Sequence, residues 1–479
     1  MWPLSSVNRI TAYPGAWWAT SEVVLILESH FRTQRSVGPL NSGFREPRTS
    51  GPNVIEFWIG LPLGIRYLLV GFVGLLGGGL ANLVIYRFAY FNPRPISPWG
   101  PSAADAPPRR WLDRIPVLGW FTLRREASIH GSGFWIRPLL IEIGTALGLM
   151  WLYQFETQTG GQLPAELRIP AFLPIVESML TTMFFVHAIL VVLMVAATFV
   201  DFDERTIPDI ITIPGTIIAV VIAAVGIPMF LPTALPVARF ATAVASTTYD
   251  SPWFTSVNVA TEQGIGIGLL IWSAWCFALA DRRWSAVIFR RRGLRRAMKH
   301  FVDGLFHYGF WKALVAIWLL GIVGITCIWM LGGTYWQGLL TSLVGLAVGG
   351  GVIWAIRIVA TWALNVEAMG FGDVTLMAMI GAMIGWQAAL VAFFLSPFAA
   401  IAIVLVRYVI TRDTYTPYGP YLCAGTVLTL VRWDQLYNGW LASNLLFMGS
   451  MLLWLCIGML GLMGAMLFVW RRIKMVIFA

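Results

Sequence analysis

Asp201 and Asp373 are the side chains of this 479-residue chain whose settings are hardest to explain without chemistry. Asp201 ends an apolar stretch from about residue 175 and opens Asp201-Phe-Asp-Glu-Arg-Thr-Ile-Pro-Asp209. Asp373 closes Gly370-Phe-Gly-Asp373, just ahead of Val374-Thr-Leu-Met-Ala-Met-Ile-Gly381. A carboxylate at a membrane boundary is costly unless something uses it. Two that meet could work as an acid–base pair on an amide: one, ionised, takes a proton from water, and the other, protonated, donates to the carbonyl oxygen or leaving amine. Close approach of like charges makes the two ionisations a joint property of the pair. Gly370 and Gly372 would let a backbone approach closely beside such an acid. Pro208 is expected to break the chain and leave Asp201 on an exposed turn or helix end. The competing reading is that both aspartates cap helices at the interface. Asp209, ahead of Ile210-Ile-Thr, reads as the cap of the next span, and Asp203 as solvated.

These residues need apolar helices to position them. The chain is 58% hydrophobic and 12% charged, with a mean hydropathy of +0.74. Soluble chains carry roughly twice that charge, so the composition implies an all-α polytopic membrane bundle. A span needs about 20 apolar residues. Candidates lie near 64–86, 138–155, 174–200, 210–231, 264–280, 312–331, 337–363, 388–411 and 441–470, with shorter runs at 374–386 and 421–432. The expectation is about 9–11 transmembrane helices. Residues 1–57 mix Arg, Ser, Pro and Gly, carry no signal-peptide apolar region, and read as a poorly ordered extension. The formal net charge of +10 does not point to nucleic acid, because Arg and Lys gather in short loops beside apolar runs. The basic run Arg290–Arg296 reads as a contact to anionic membrane lipid. Cys276, Cys327, Cys423 and Cys456 are too far apart in sequence for a metal-ligand pair.

Topology then becomes checkable. The 87–137 loop carries eight arginines, which assigns it to the cytoplasm. Alternating the spans puts every later basic cluster on the same side. Four spans separate Asp201 from Asp373, so both reach that face. No repeat of fixed period is evident.

The motifs resemble those of the type IV prepilin peptidases, polytopic bacterial aspartic proteases. The first, Asp201-Phe-Asp-Glu-Arg-Thr-Ile-Pro-Asp-Ile-Ile-Thr-Ile-Pro214, is similar to the stretch that carries that family's first catalytic aspartate. Gly370-Phe-Gly-Asp373, running on to Gly381-Ala-Met-Ile-Gly-Trp386, is similar to the second. Pro417-Tyr-Gly-Pro-Tyr-Leu422 resembles a third motif, which in residue terms alone reads as a tight turn before a helix. Gly78-Gly-Leu-Ala-Asn82-Leu-Val-Ile-Tyr86-Arg87 resembles the first span, Trp111–Trp120 a loop motif, and Arg137 with Glu142 a spacing at the second span. The resemblance implies Asp201 and Asp373 as catalytic residues. Gly370, Gly372, Asp209, Asn82, Arg87, Arg137 and Glu142 are supporting candidates, and no metal ligand is expected. Asn82 could instead hydrogen-bond a neighbouring helix, Arg137 and Glu142 are expected to pair with each other, and Gly77–Gly79 reads as a helix-packing face.

The implied substrates are type IV prepilin-like or type II secretion pseudopilin precursors, which present a short basic leader cut before an apolar helix. The implied location is a bacterial cytoplasmic (inner) membrane, crossed several times, with the site facing the cytoplasm. Proteolysis by two carboxylates needs no cofactor. Bifunctional relatives also N-methylate the new terminus, so S-adenosylmethionine is the cofactor if that activity is retained. Many members carry two Cys-x-x-Cys pairs suited to zinc, but here those positions hold Ser97, Gly100, Ala127 and His130, so zinc is not expected. Gly79 and Thr375 replace a frequent Ser and Lys. The expected division is an N-terminal extension (1–57), a methyltransferase-like region (58–155), a peptidase membrane domain (174–432, with a long insertion at about 232–335), and an extra C-terminal segment (433–479). Two alternatives stand beside this reading: another Gly-x-Gly-Asp intramembrane protease cutting inside the bilayer, and a non-enzymatic transport or assembly protein.

Overall fold

A computed structural model describes residues 54–88, 96–99, 102, 105–237, 240–245, 262–280, 311–366, 369–411, 417–441 and 451–477. Expectations for residues 1–53, the basic run 290–296 and Gly100 lie outside these. The described chain is helical apart from one antiparallel hairpin, β1 (Pro232–Val237) paired with β2 (Phe240–Ala245). It falls in the segment expected to be only a polar loop. The helices in chain order are α1 (Val54–Gly60), α2 (Leu63–Leu83, continued by a π-turn to Phe88), α3 (Ile136–Tyr153) and α4 (Leu173–Glu204). After these come α5 (Asp209–Ala224), α6 (Glu262–Ala280), α7 (Trp311–Leu331), α8 (Gly333–Leu364) and α9 (Phe371–Ile384). The last are α10 (Trp386–Thr411), α11 (Gly419–Trp433) and α12 (Met451–Ile477).

Among the described residues, seven helices are long and apolar enough to cross a membrane: α2, α3, α4, α7, α8, α10 and α12. Three shorter apolar helices, Asp209–Ala224, Gly264–Leu279 and Phe371–Ile384, accompany them. The protein is an all-α, multi-pass membrane protein. The run expected at 210–231 stops at Ala224, because Gly226 takes a left-handed φ of 75° that ends the helix. The last described helix, Met451–Ile477, overlaps the run expected at 441–470, whose residues 442–450 lie outside the described ones. Val54–Phe57, expected to be disordered, belong to α1.

The centre of the bundle is α9. It is apolar all round, and every residue from Asp373 to Ile384 is buried. Such a helix must be wrapped on all sides, and α4, α5, α8, α10 and α11 pack around it. Its contact with α8 is backbone to backbone: a Cβ at Gly345 would overlap the Gly381 carbonyl, and one at Gly381 would overlap that of Gly345. The expected close-packing face Gly77–Gly79 is also present, since Gly78 lies against the Glu142 backbone.

A buried polar cluster lies midway along α4, away from Asp201. Buried Glu156 accepts from Gln162 Nε2 at 2.7 Å and faces His187 Nδ1 at 2.8 Å, while Gln162 also reaches the Leu430 carbonyl. His187 lies fourteen residues before Asp201 on α4, about 21 Å along the axis.

The α8–α9 contact makes a clean prediction. Gly345→Leu should drive the two helices apart and cost roughly 1–3 kcal/mol or more, seen as a lower melting temperature in detergent. Gly351→Leu, on the same helix but with nothing within 4 Å of its Cβ, should leave the melting temperature near that of the parent.

Candidate active site

Three helix ends converge where α4 stops. Asp201 lies in the last turn of α4, which Arg205 closes in the left-handed conformation at φ 56°. Asp201 is therefore buried inside the helix, at 3% exposure, and not on an exposed turn. Pro208 does not free it; instead it is the N-cap residue of α5. Asp209 follows as that helix's first residue, so the expected cap is one position later than the real one. It still lies in the first turn, where the dipole favours an acid.

Asp373 comes from the other side of the bundle, in the first turn of α9, and is 9% exposed. The Asp201 charge acts directly on it, so the fold brings together two acids 172 positions apart in the chain. Two glycines allow the approach. A Cβ at Gly372 would come within 3.0–3.1 Å of the Ile207 backbone and Cβ. One at Gly419 would lie 2.5 Å from Asp201 Oδ2. That same oxygen accepts the Gly419 amide at 3.1 Å, so the start of α11 forms a wall of the site. Cys423, one turn further along α11, hydrogen-bonds Thr198 and feels both carboxylates. Thr375, in the position of the frequent Lys, donates to the Gly372 carbonyl at 3.0 Å. Gly370, the N-cap of α9, lies beside Asp373, with Oδ2 3.8 Å from the place its Cβ would take. Gly419 was missed as a site residue by sequence reasoning. Its signal was the Pro417–Leu422 motif, which by residue type alone reads as a turn.

The remaining candidates form two other groups. Glu142 is buried and accepts three hydrogen bonds: the Val117 amide at 2.6 Å, Trp120 Nε1 at 2.9 Å and Asn82 Nδ2 at 3.2 Å. Asn82 also donates to the Pro138 carbonyl at 2.9 Å. This cluster ties the 111–126 loop to α2 and α3, and Val117 holds a positive φ of 66° to reach it. The expected Arg137–Glu142 pair does not form. Arg137 instead meets Asp203 at 2.9 Å, both partly exposed, because Glu142 is already saturated by neutral donors inside the bundle. Arg87 is exposed; it reaches the Trp99 carbonyl at 3.5 Å and lies over the Phe88 ring.

Ser97, Ala127 and His130 offer no thiolate, and among the described residues no three His, Cys, Asp or Glu side chains gather as a metal site. Ion pairs hold the loop instead. Arg125 meets Asp113 at 2.6 Å, Arg109 meets Glu126 at 2.9 Å, and His130 lies 3.4 Å from Glu126. Burial alone would raise the Asp113 carboxyl, but the Arg125 guanidinium, the Thr122 hydroxyl and the Arg110 amide outweigh it and hold it well below the usual carboxylate range.

With the geometry in place, comparison with known proteins is informative. Residues 311–405 match the type IV leader peptidase family model. That stretch of the chain is similar to the family. The match includes Asp373, while Asp201 falls before it. The chain is 32% identical over 126 residues to the prepilin leader peptidase/N-methyltransferase of Aeromonas hydrophila, covering 23% of this chain and 43% of that protein. It is 30% identical over 119 residues to that of Pseudomonas putida (24% and 39%) and 29% over 91 residues to that of Escherichia coli K12 (19% and 40%). The chain thus spans less than half the length of these curated relatives. No solved structure matches it.

The ion pairs predict how the loop responds to acid. A carboxylate with a depressed folded value contributes stability that is present above its unfolded pKa and is lost only as pH falls through the folded value. Hydrogen exchange of residues 109–126 should therefore stay protected from pH 7 to about pH 4 and be indifferent to chelators. Asp113→Asn should open it by somewhat less than the roughly 3–5 kcal/mol of a fully buried pair, since 23% of the Arg125 side chain stays exposed.

Proposed function

We propose that the chain is an aspartic endopeptidase that removes the leader of prepilin-like precursors. Asp201 and Asp373 form its catalytic pair at the cytoplasmic face of the membrane. The observation that carries this reading is the burial of two carboxylates at a junction of helix ends, with Asp373 within reach of the Asp201 charge, in a chain whose residues 311–405 match the type IV leader peptidase family model. One carboxylate takes a proton from the attacking water, and the other protonates the carbonyl oxygen or the leaving amine. Among the described residues, the four helices α5 to α8 lie between the two acids in the chain. If each crosses the bilayer, both acids return to one side, and the basic loops assign that side to the cytoplasm. A substrate with a polar leader and an apolar helix would present its junction at this depth. The relatives' names also include an N-methyltransferase. Both Glu142 oxygens are already taken by donors of the chain, and Asn82 Nδ2 is spent on Pro138 and Glu142, while among the described residues the buried Asn82 Oδ1 has no hydrogen-bond partner. The proposal is confined to the cut.

The test is cleavage of a precursor carrying a basic leader and an apolar helix, co-reconstituted in vesicles with the full chain. Asp201→Asn keeps an oxygen that can accept the Gly419 amide while removing the charge. It and Asp373→Asn should each lower kcat by roughly 10²–10⁴-fold, and the parent should show a bell-shaped pH–rate profile belonging to the pair. Unchanged turnover in either variant overturns the reading. Sequencing the products separates this reading from an intramembrane cutter: the bond should lie at the membrane rim and not inside the apolar helix.

A further inference from the structure

Arg357 is the one charged residue among the 32 of α8. It sits seven residues before the end of that helix, about 10 Å along the axis, and is buried at 7% exposure. A cation in that position is costly and calls for a use. Its Nε donates to the Met369 carbonyl at 2.9 Å, and its guanidinium carbon lies 5.7 Å from the centre of the Phe371 ring. Both contacts fall on the segment that enters α9 and carries Asp373.

We propose that Arg357 is a positioning residue for the reaction: it pins the Met369 carbonyl so that Gly370-Phe-Gly-Asp373 starts α9 with Asp373 set opposite Asp201. This rests on the reading of those aspartates as the catalytic pair. The geometry explains why a pin is needed. α8 ends at Leu364 with Asn365 in the left-handed conformation, and α9 starts at Phe371 with Gly370 extended at φ −68° and ψ 151°. Gly370, the residue that leads into α9, is extended and not helical. Gly372 presses on the Ile207 backbone from the α4–α5 side, and Arg357 holds the segment from the α8 side. With both contacts the start of α9 is fixed from two directions; with one it can slide. The pin works through the backbone, because the charge acting on Asp373 is that of Asp201.

The donating atom makes the test selective. Nε of arginine and Nε2 of glutamine are both bonded to Cδ, so Arg357→Gln keeps an N–H at the same place while removing the charge. Arg357→Lys keeps the charge and moves the donor one atom outward. Arg357→Met removes both. Precursor cleavage by the full chain in vesicles should give a kcat for Gln within about threefold of the parent. Lys and Met should lose roughly 10- to 100-fold, with KM little changed and the midpoints of the pH–rate profile unmoved. Amide exchange of the 369–373 segment should speed up in Lys and Met, stay near the parent in Gln, and remain unaltered in α4 and α11. A Gln variant as impaired as Lys or Met overturns the proposal, as do a shifted pH profile or unaltered exchange in the Lys variant. Should the Met variant not fold, the contrast between Gln and Lys decides alone. Cleavage that survives Asp373→Asn would remove the peptidase reading, whereas the exchange measurement needs no cleavage and separately decides whether Arg357 holds the segment.

Discussion

Keeping two carboxyl groups together in an apolar interior is the constraint to which the rest of this bundle answers. Each acid alone could escape its desolvation cost by turning to water, so the fold has to remove that choice. It does so by burying α9 completely and closing Asp201 in from the α11 side. A wholly buried helix offers Asp373 no solvent-facing rotation, and the contact of Gly345 with Gly381 keeps α9 from shifting along α8. The same requirement accounts for the small residues at the junction. Side chains at Gly372 or Gly419 would hold the helix ends apart by about the width of a methyl group, and the two acids would lose their mutual effect.

The loop between α2 and α3 shows a different solution to a local problem. A short loop with little apolar content needs a staple, and a tetrathiolate metal site is one kind. Here Asp113, Arg125, Arg109 and Glu126 supply it with charge pairs almost sealed from solvent. Such pairs add little net stability, since desolvation offsets most of the attraction, but they fix geometry because each partner becomes costly when alone. What they fix is the approach of Val117 and Trp120 to Glu142, the point at which the loop is fastened to the membrane helices.

Much of the architecture was legible in the sequence because apolar length is a strong signal. The long spans, the apolar helix Met451–Ile477 and the glycine face at 77–79 all follow from composition and pattern. What could not be read were partners across the bundle. Arg137 and Glu142 are five residues apart and of opposite charge, which suggests a pair, yet Glu142 turns inward to amide and indole donors and Arg137 takes Asp203. Gly419 looked like part of a turn because nothing in its neighbourhood announces that its amide meets a carboxylate 218 residues away. The hairpin at 232–245 was hidden by its alanine, threonine and proline content, which gives no alternating apolar pattern.

Helix capping remains the strongest rival explanation for the two acids, and the geometry meets it only halfway. Asp201 cannot serve its own helix, since it lies in the last turn, where the dipole opposes a negative charge and where Arg205 already closes the backbone. It does accept the amide that starts α11, and so caps a neighbour. A cap, however, needs one neutral or charged oxygen, which Asn or Ser would supply as well. It gives no reason to place a second carboxylate within its field, and that second acid raises the cost of the first. Asp373 sits early enough in α9 to favour the dipole, but any acid in that turn facing outward would do the same at less expense. Capping therefore accounts for each aspartate separately but gives no reason for the two to be neighbours, whereas the proposed reaction would use both carboxyl groups at once.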